Sequence, residues 1–299
     1  MTISSTTFTH FFEVPVLPPF DKMAFCNLEV IGACNLKCGH CPRDDTARDQ
    51  GAMSMDLYKK LLVQVPKTTE VRLFLSGEPF LDKHLADRVK LATASGHKTL
   101  IHSNATKVTP IKALEVIEQG PTTISVSIDG ATPAAYEFMR PPGKFEDARN
   151  GVTALLDARD YLASSTRIVL QTIVPYPTPL NSNSGMTDLV DRFDKVYVRH
   201  PHNWASDGSV EGAAPSNYSA QTCYFLDISM SIQSNGMVVP CCACLNEEHV
   251  MGDANTTSLR DIWAAEFQRF RTFQRDRKPL PVCSDCERYN VKPTKLPVT

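Results

Sequence analysis

The sequence predicts an α/β protein: one parallel sheet built from strand–helix units, followed by a small cysteine-rich unit. Three observations carry that expectation. Between Phe25 and Arg199, six strand-like apolar runs alternate with helical patterns, and such alternation joins strands in parallel through right-handed crossovers. A polar loop follows each of the first four runs, on the rim where α/β sheets bind their ligands. Nine of the ten cysteines fall into two groups, 34–41 and 223–286, which suggests two metal sites.

The first 24 residues are Ser/Thr-rich, then Pro-rich. They read as an extension, without the basic-then-apolar order of a secretory signal. The expected strands are Asn27–Ile31, Val71–Leu75, Thr99–His102, Thr123–Ile128, Arg167–Val174 and Val196–Arg199. Between them, Tyr58, Leu61, Leu62 and Val65 recur with helical spacing. Thr109-Pro110 offers an N-cap with proline at the first helical position, ahead of Leu114 and Ile117 on one face. Phe145, Ala148, Val152, Leu155 and Leu156 make a longer helical stripe. After Trp204 the composition shifts to Ala, Ser, Gly, Asn and Pro, a linker pattern. The expected division is an extension over 1–24, a strand–helix domain over 25–205 and a linker over 206–222. A cysteine-rich unit over 223–290 and a tail over 291–299 complete it.

Composition narrows the function. Hydrophobic content of 42%, charged content of 21% and a net charge of −2 are those of a globular chain. With no basic block, nothing points to nucleic acid or a charged membrane surface. No apolar run approaches the ~20 residues of a membrane span. Cysteines without an export signal argue for metal ligation in a reducing, cytoplasmic setting rather than for disulfides. Cys26 stands outside both groups and reads as a small buried hydrophobe.

Cys34-Asn35-Leu36-Lys37-Cys38-Gly39-His40-Cys41 places three thiols in one loop after the first strand. Three thiolates can wrap one face of an iron–sulfur cube and leave one iron without a protein ligand. Such an open position can bind and activate a small molecule. Structural zinc is the alternative, although zinc sites usually close with four ligands. In the second group, Ser234-Asn235-Gly236 turns a hairpin between Ile228–Gln233 and Met237–Pro240. Ser258-Leu259-Arg260-Asp261 resembles a capping box, and Leu259, Ile262, Trp263, Phe267 and Phe270 supply an apolar helical face. Cys223 and Cys241 flank the hairpin, and Cys283-x-x-Cys286 returns near the end. Together they can close a four-thiolate site, with zinc again the alternative.

The C-x-x-x-C-x-x-C loop resembles the signature of radical S-adenosylmethionine (SAM) enzymes. The resemblance implies a partial (β/α)6 TIM-type barrel, with a small C-terminal β-hairpin/helix iron–sulfur domain behind it. It also implies a [4Fe–4S] cluster on Cys34, Cys38 and Cys41, with SAM on the fourth iron. In that family, SAM cleavage yields a 5′-deoxyadenosyl radical that removes hydrogen from an unactivated C–H bond, using an electron from a donor such as flavodoxin or ferredoxin. Ser76-Gly77-Glu78-Pro79 is similar to the family segment that holds the SAM amino group, with Ser76 replacing a glycine. The third rim loop, Ser103-Asn104-Ala105, joins the expected cofactor contacts. Ser127-Ile128-Asp129-Gly130, followed by Tyr136 and Arg140, matches the pattern after the fourth strand. Ser127 and Arg140 are thereby expected near the SAM carboxylate or ribose, and Gln171 near the ribose or substrate. His40 sits where the family often places a side chain against adenine. Asp129-Gly130 is equally read as a turn.

The spacing of Cys223, Gly236, Cys241, Cys283 and Cys286 resembles the first part of the SPASM extension. With no cysteine after Cys286, it resembles the shorter "twitch" version, which implies one auxiliary [4Fe–4S] cluster on Cys223, Cys241, Cys283 and Cys286. Relatives of that type include enzymes that oxidise a carbinol or invert a sugar carbon, so a polar small-molecule substrate is expected. A peptide maturase is the alternative enzyme class, although the first 25 residues are too short for the recognition domain many of those carry. A non-enzymatic electron carrier would need no barrel. Cys242 and Cys244 are surplus to a four-thiolate set. Were 241–244 extended, side chains would alternate, setting Cys244 as a hydrogen-atom donor to a substrate radical and Cys242 as packing. Epimerisation is the reaction expected on that basis, with carbinol oxidation the alternative.

Overall fold

The computed structural model describes residues 18–45, 48, 50–130, 132–175, 186–201, 223–245, 249–276, 283 and 286 of the 299-residue chain. Six strands lie side by side in chain order, each parallel to the next. They are β1 (Phe25–Leu28), β2 (Glu70–Arg72), β3 (Thr99–Ser103), β4 (Thr123–Ser127), β5 (Arg167–Ile173) and β6 (Lys195–Arg199). The crossovers carry α1 (Met55–Leu62), α2 (Leu85–Ala94), α3 (Pro110–Glu118), α4 (Pro133–Met139) and α5 (Phe145–Tyr161). Local chemistry sets their starts. The side chains of Ser54, Thr109 and Thr132 accept the N–H groups of Leu57, Lys112 and Ala135, and Pro110 and Pro133 open their helices.

The two faces of this sheet differ in chemistry. Val71, Ile101, Ile124, Val126, Ile168 and Leu170 are fully buried in the core beneath the helices. Side chains alternate along a strand, so Arg72, His102, Ser125, Ser127 and Gln171 take the opposite face, toward the lumen of a partial barrel. The pairing His102 with Ser125, and Ser127 with Gln171, sets them side by side. The core therefore sits between sheet and helices, and the lumen face sets these polar groups among Phe25, Phe74, Leu100, Val169 and Ile173.

The C-terminal part extends the same sheet. Strand β7 (Ser229–Ile232) pairs in parallel with β1, Phe25 opposite Ser229 and Leu28 opposite Ile232. Strands β8 (Met237–Val239) and β9 (Gly252–Asp253) follow antiparallel. The β7–β8 turn depends on Gly236, whose φ of +93° disfavours any side chain. Three helices are described in this unit: α6 (Tyr224–Ile228), α7 (Leu259–Ala264) and α8 (Glu266–Arg275). Arg271, buried under Trp263, donates from Nε and Nη2 to the Leu226 carbonyl and ties α8 to α6. No helix among the described residues is long and apolar enough to cross a membrane.

Several expectations need correction. Leu114 is 38% exposed, because α3 buries Ala113, Val116 and Ile117 instead. The stripe from Leu259 to Phe270 is buried as expected, but it breaks at Ala265 into two helices. Segment 241–244 is a turn, closed by Cys244 N–H to the Cys241 carbonyl at 3.2 Å. The expected linker over 206–222, the tail over 291–299 and residues 1–17 lie outside the described residues.

Candidate active site

The cysteine loop leaves β1 at the carboxyl rim. Cys34, Cys38 and Cys41 are half-buried there, and Cys41 N–H donates to the Cys38 carbonyl at 3.0 Å. The loop is pinned from three sides. Leu36 is buried beneath it, Lys37 N–H donates to the Pro141 carbonyl at 2.6 Å, and the buried Arg43 donates to the Leu36 carbonyl. Burial pushes the Cys38 thiol up to about 12 and raises Cys34 and Cys41 as well. Unligated, all three thiols keep their protons at neutral pH; a metal takes the thiolate and reverses that preference. Three half-buried thiols on one loop supply one ligand fewer than a closed tetrahedral zinc site takes, and the number that leaves one iron of a four-iron cube open.

The rim loops pack onto this loop. A Cβ on Gly77 would stand 2.0 Å from the Ile31 carbonyl oxygen and 2.7 Å from that of Ala33, so only glycine permits the approach. Glu78 N–H donates to the Ala33 carbonyl at 2.9 Å. The Glu78 carboxylate is buried, and it accepts from Ser103 Oγ at 2.7 Å, Asn104 N–H at 2.7 Å and Phe80 N–H at 3.1 Å. Burial raises its pKa, and these donors oppose the shift. Asn104 in turn reaches Asn35 Oδ1 at 3.2 Å and Cys34 Sγ at 3.7 Å. Ser76, Gly77, Glu78, Ser103 and Asn104 are thus brought against the cysteine loop as one connected rim.

The fourth-strand motif arrives on the other side. Asp129 is fully buried and accepts from Arg140 Nε at 2.6 Å and from Ile173 N–H at 2.8 Å. His40 Nε2 lies 3.5 Å from the same carboxylate. Burial, reinforced by Arg140, lowers the His40 pKa to about 4, so its imidazole is neutral at pH 7. Asp129-Gly130 does make a turn, with Gly130 at φ +75°, yet its carboxylate also organises His40 and Arg140. The Tyr136 hydroxyl is buried without a hydrogen-bond partner. Ser127 and Gln171 are half-buried on the lumen face.

The second cysteine group also gathers. Burial raises the Cys223 thiol to about 11, with a further push from Cys286. Cys283 rises to about 12 through burial and the nearness of Cys223 and Cys286. Cys241 is pushed up by burial, then by Cys242, Cys244, Cys223 and Cys286. Gln274 on α8 accepts the Cys223 N–H at 2.8 Å. The turn corrects the alternation argument for the two surplus thiols. Cys244 is 1% exposed in the main apolar core, whereas Cys242 is half-buried beside Leu75, Val239 and Leu245. Leu75 directly precedes the Ser76 rim, so Cys242 is the surplus thiol on the side of the first loop.

One device escaped the sequence reading. Glu29, fully buried, pairs with the buried side chain of Arg48 at 2.6 Å and accepts from Ser76 Oγ at 2.7 Å and Ser234 N–H at 3.1 Å. Arg48 also contacts Ser76 Oγ. The cluster joins β1, the Ser76 rim and the β7–β8 turn. A buried charge pair runs against composition priors, and no local pattern connects residues 29, 48, 76 and 234.

Both cysteine groups fall within regions that match known protein families. Residues 28–174 match the radical SAM superfamily and residues 223–287 match an iron–sulfur cluster-binding domain, SPASM. An AdoMet-dependent heme synthase of Oleidesulfovibrio alaskensis is 31% identical over 133 residues, 44% of this chain. That match spans 34% of the relative's length. An S-adenosyl-L-methionine-dependent 2-deoxy-scyllo-inosamine dehydrogenase of Niallia circulans is 23% identical over 91% of this chain and 96% of its own. The crystal structure of BtrN in complex with AdoMet and 2-DOIA superposes with a TM-score of 0.61 at 21% identity, covering 88% of this chain and 92% of that one.

Proposed function

We propose that the chain is a radical SAM enzyme with a SPASM domain, on its matches over residues 28–174 and 223–287, and that it oxidises a carbinol of a polar small molecule held in the barrel lumen. The two domains imply SAM and two iron–sulfur clusters as cofactors. In this reading Cys34, Cys38 and Cys41 hold the first cluster, and Cys223, Cys241, Cys283 and Cys286 hold the second. When bound, reduced cluster and SAM together supply a carbon-centred radical able to remove hydrogen from an unactivated C–H bond.

The chain's own residues position and shield. The Gly77–Glu78 backbone, the Ser103–Asn104 loop and Ser127 border the SAM site. Glu78 serves mainly by fixing the third rim loop rather than by presenting an open carboxylate. Asp129 holds Arg140 and a neutral His40 beside the last cluster cysteine. Gln171, next to Ser127 on the lumen face, stands toward the substrate. An external donor such as flavodoxin or ferredoxin supplies the electron.

The hydroxyl, imidazole and amide groups set along the lumen face are the observation that carries the substrate class, because a wholly apolar substrate would leave them unpaired. Oxidation is favoured over epimerisation because Cys244, the expected hydrogen donor, is buried in apolar core. The dehydrogenase relative that spans nearly the whole chain supports the same outcome. Epimerisation remains the second reading, and Cys242, beside Leu75, is the observation that favours it. Turnover in deuterated water separates the two. Oxidation predicts a ketone product without solvent deuterium, whereas deuterium at an inverted carbon, lost in Cys242→Ala, would establish epimerisation.

A further inference from the structure

The charges facing the lumen constrain the substrate further. Among the described residues, each carboxylate on that face is already engaged by an arginine. Glu29 pairs with Arg48, Glu70 with Arg72 and Asp129 with Arg140, each at 2.6 Å. Glu78, at the rim, is satisfied by three donors. The wall between them is neutral: His102 and Ser125 face each other across β3 and β4, and Ser127 and Gln171 across β4 and β5. Arg199, opposite Ile173 on β6, lies on the same face.

An ionic group entering this lumen would lose its hydration and find, among the described residues, no unengaged charge of opposite sign on Glu29, Glu70, Asp129, Arg48, Arg72 or Arg140 to replace it, a cost that rises steeply in a desolvated site. Hydroxyl groups meet no such penalty, because each can donate to and accept from neutral partners. We propose that the lumen selects a neutral polyol over a multiply protonated amine or a phosphorylated polyol, with His102, Ser125 and Gln171 as the wall that hydrogen-bonds it. The proposal rests on the reading of a small-molecule radical SAM enzyme and narrows its substrate.

His102 is the central residue of that wall. Its ring meets Phe74 edge to face, with centroids 4.1 Å apart, which fixes the imidazole plane. Neither ring nitrogen makes a hydrogen bond to a described residue. Burial, then Arg72 and Arg199, lowers its pKa to about 3. The ring therefore stays neutral and offers one donor and one acceptor, a match for a hydroxyl and a mismatch for an ammonium, which cannot accept.

The test uses the full chain, reconstituted without oxygen, with SAM and dithionite. Formation of 5′-deoxyadenosine is measured alone and with myo-inositol, myo-inositol 1-phosphate or 2-deoxystreptamine. Substrate-free cleavage reports on the radical SAM reading itself, so its failure is distinguishable from failure of the selectivity. myo-Inositol should raise the rate about tenfold, and myo-inositol 1-phosphate and 2-deoxystreptamine each less than about twofold, as the loss of even one good polar contact allows. With the stimulating compound, His102→Phe should raise KM about tenfold with kcat within about threefold, and His102→Gln should restore KM to within about threefold. Stimulation by 2-deoxystreptamine or myo-inositol 1-phosphate above myo-inositol, stimulation by none of the three, or an unchanged KM in His102→Phe would overturn the proposal.

Discussion

Removing the Glu29 carboxylate should destabilise the fold more than any single surface change. In Glu29→Ala, the buried Arg48 loses its counter-ion at 2.6 Å, and Ser76 Oγ and Ser234 N–H lose their acceptor. Breaking one partner out of a buried pair costs roughly 3–5 kcal/mol, because the remaining charge stays buried and uncompensated. A smaller polar contribution of about 1 kcal/mol belongs to each orphaned donor and lies within that range. Equilibrium urea unfolding of the anaerobic protein measures the loss. The double variant Glu29→Met with Arg48→Met removes both charges, so it should lose clearly less than the two single variants summed. A single-variant loss below about 1 kcal/mol, or strict additivity in the cycle, would refute the view that this pair holds barrel and C-terminal hairpin together.

Three further outcomes follow from the geometry. Gly77→Ala forces a methyl group onto the Ile31 carbonyl; it should cost about 1–3 kcal/mol and weaken SAM binding in an equilibrium dialysis assay, and unchanged affinity would count against the rim assignment. Ser127→Ala should weaken SAM binding while iron content, read by colorimetric assay, stays within about 10% of wild type, since a hydroxyl there ligates no metal. The His102 pKa, about 3 in the folded chain, lies below its unfolded value, so its contribution is complete above about pH 6.5 and lost as pH falls toward 3. Wild type should lose about 2 kcal/mol more than His102→Gln between pH 7 and 5 in urea unfolding. Equal losses would show that the imidazole is not held neutral.

Much of this fold was legible because it is written in local chemistry. The proline-led caps at Thr109 and Thr132, the Asn235-Gly236 turn and the apolar strand runs each act within a few residues. Strand ends were less legible: pairing stops at Leu28 and Arg72, although apolar residues continue, because the chain must leave the sheet to build the rim. The parallel pairing of β1 with β7 joins residues about two hundred apart, and no short pattern encodes it. The cysteine spacings announced two thiol groups, but they did not show which surplus thiol faces the rim, since a tight turn replaces the extended segment at Cys241. His102 lies in the expected third strand, but its face was not readable, since Leu100 shares that face while Thr99 and Ser103 share the face of Ile101. Glu29 and Arg48 carried no readable signal, as their partnership exists only in three dimensions.

In the proposed enzyme Cys34, Cys38 and Cys41 hold the cluster that cleaves SAM, while the distant cysteines hold another. Iron content and 5′-deoxyadenosine formation, measured together on wild type and the Cys34/Cys38/Cys41 triple alanine variant, test it most directly. The wild type should hold about eight irons per chain, and the variant about four with no 5′-deoxyadenosine formed. SAM cleavage that survives in the variant would contradict the claim.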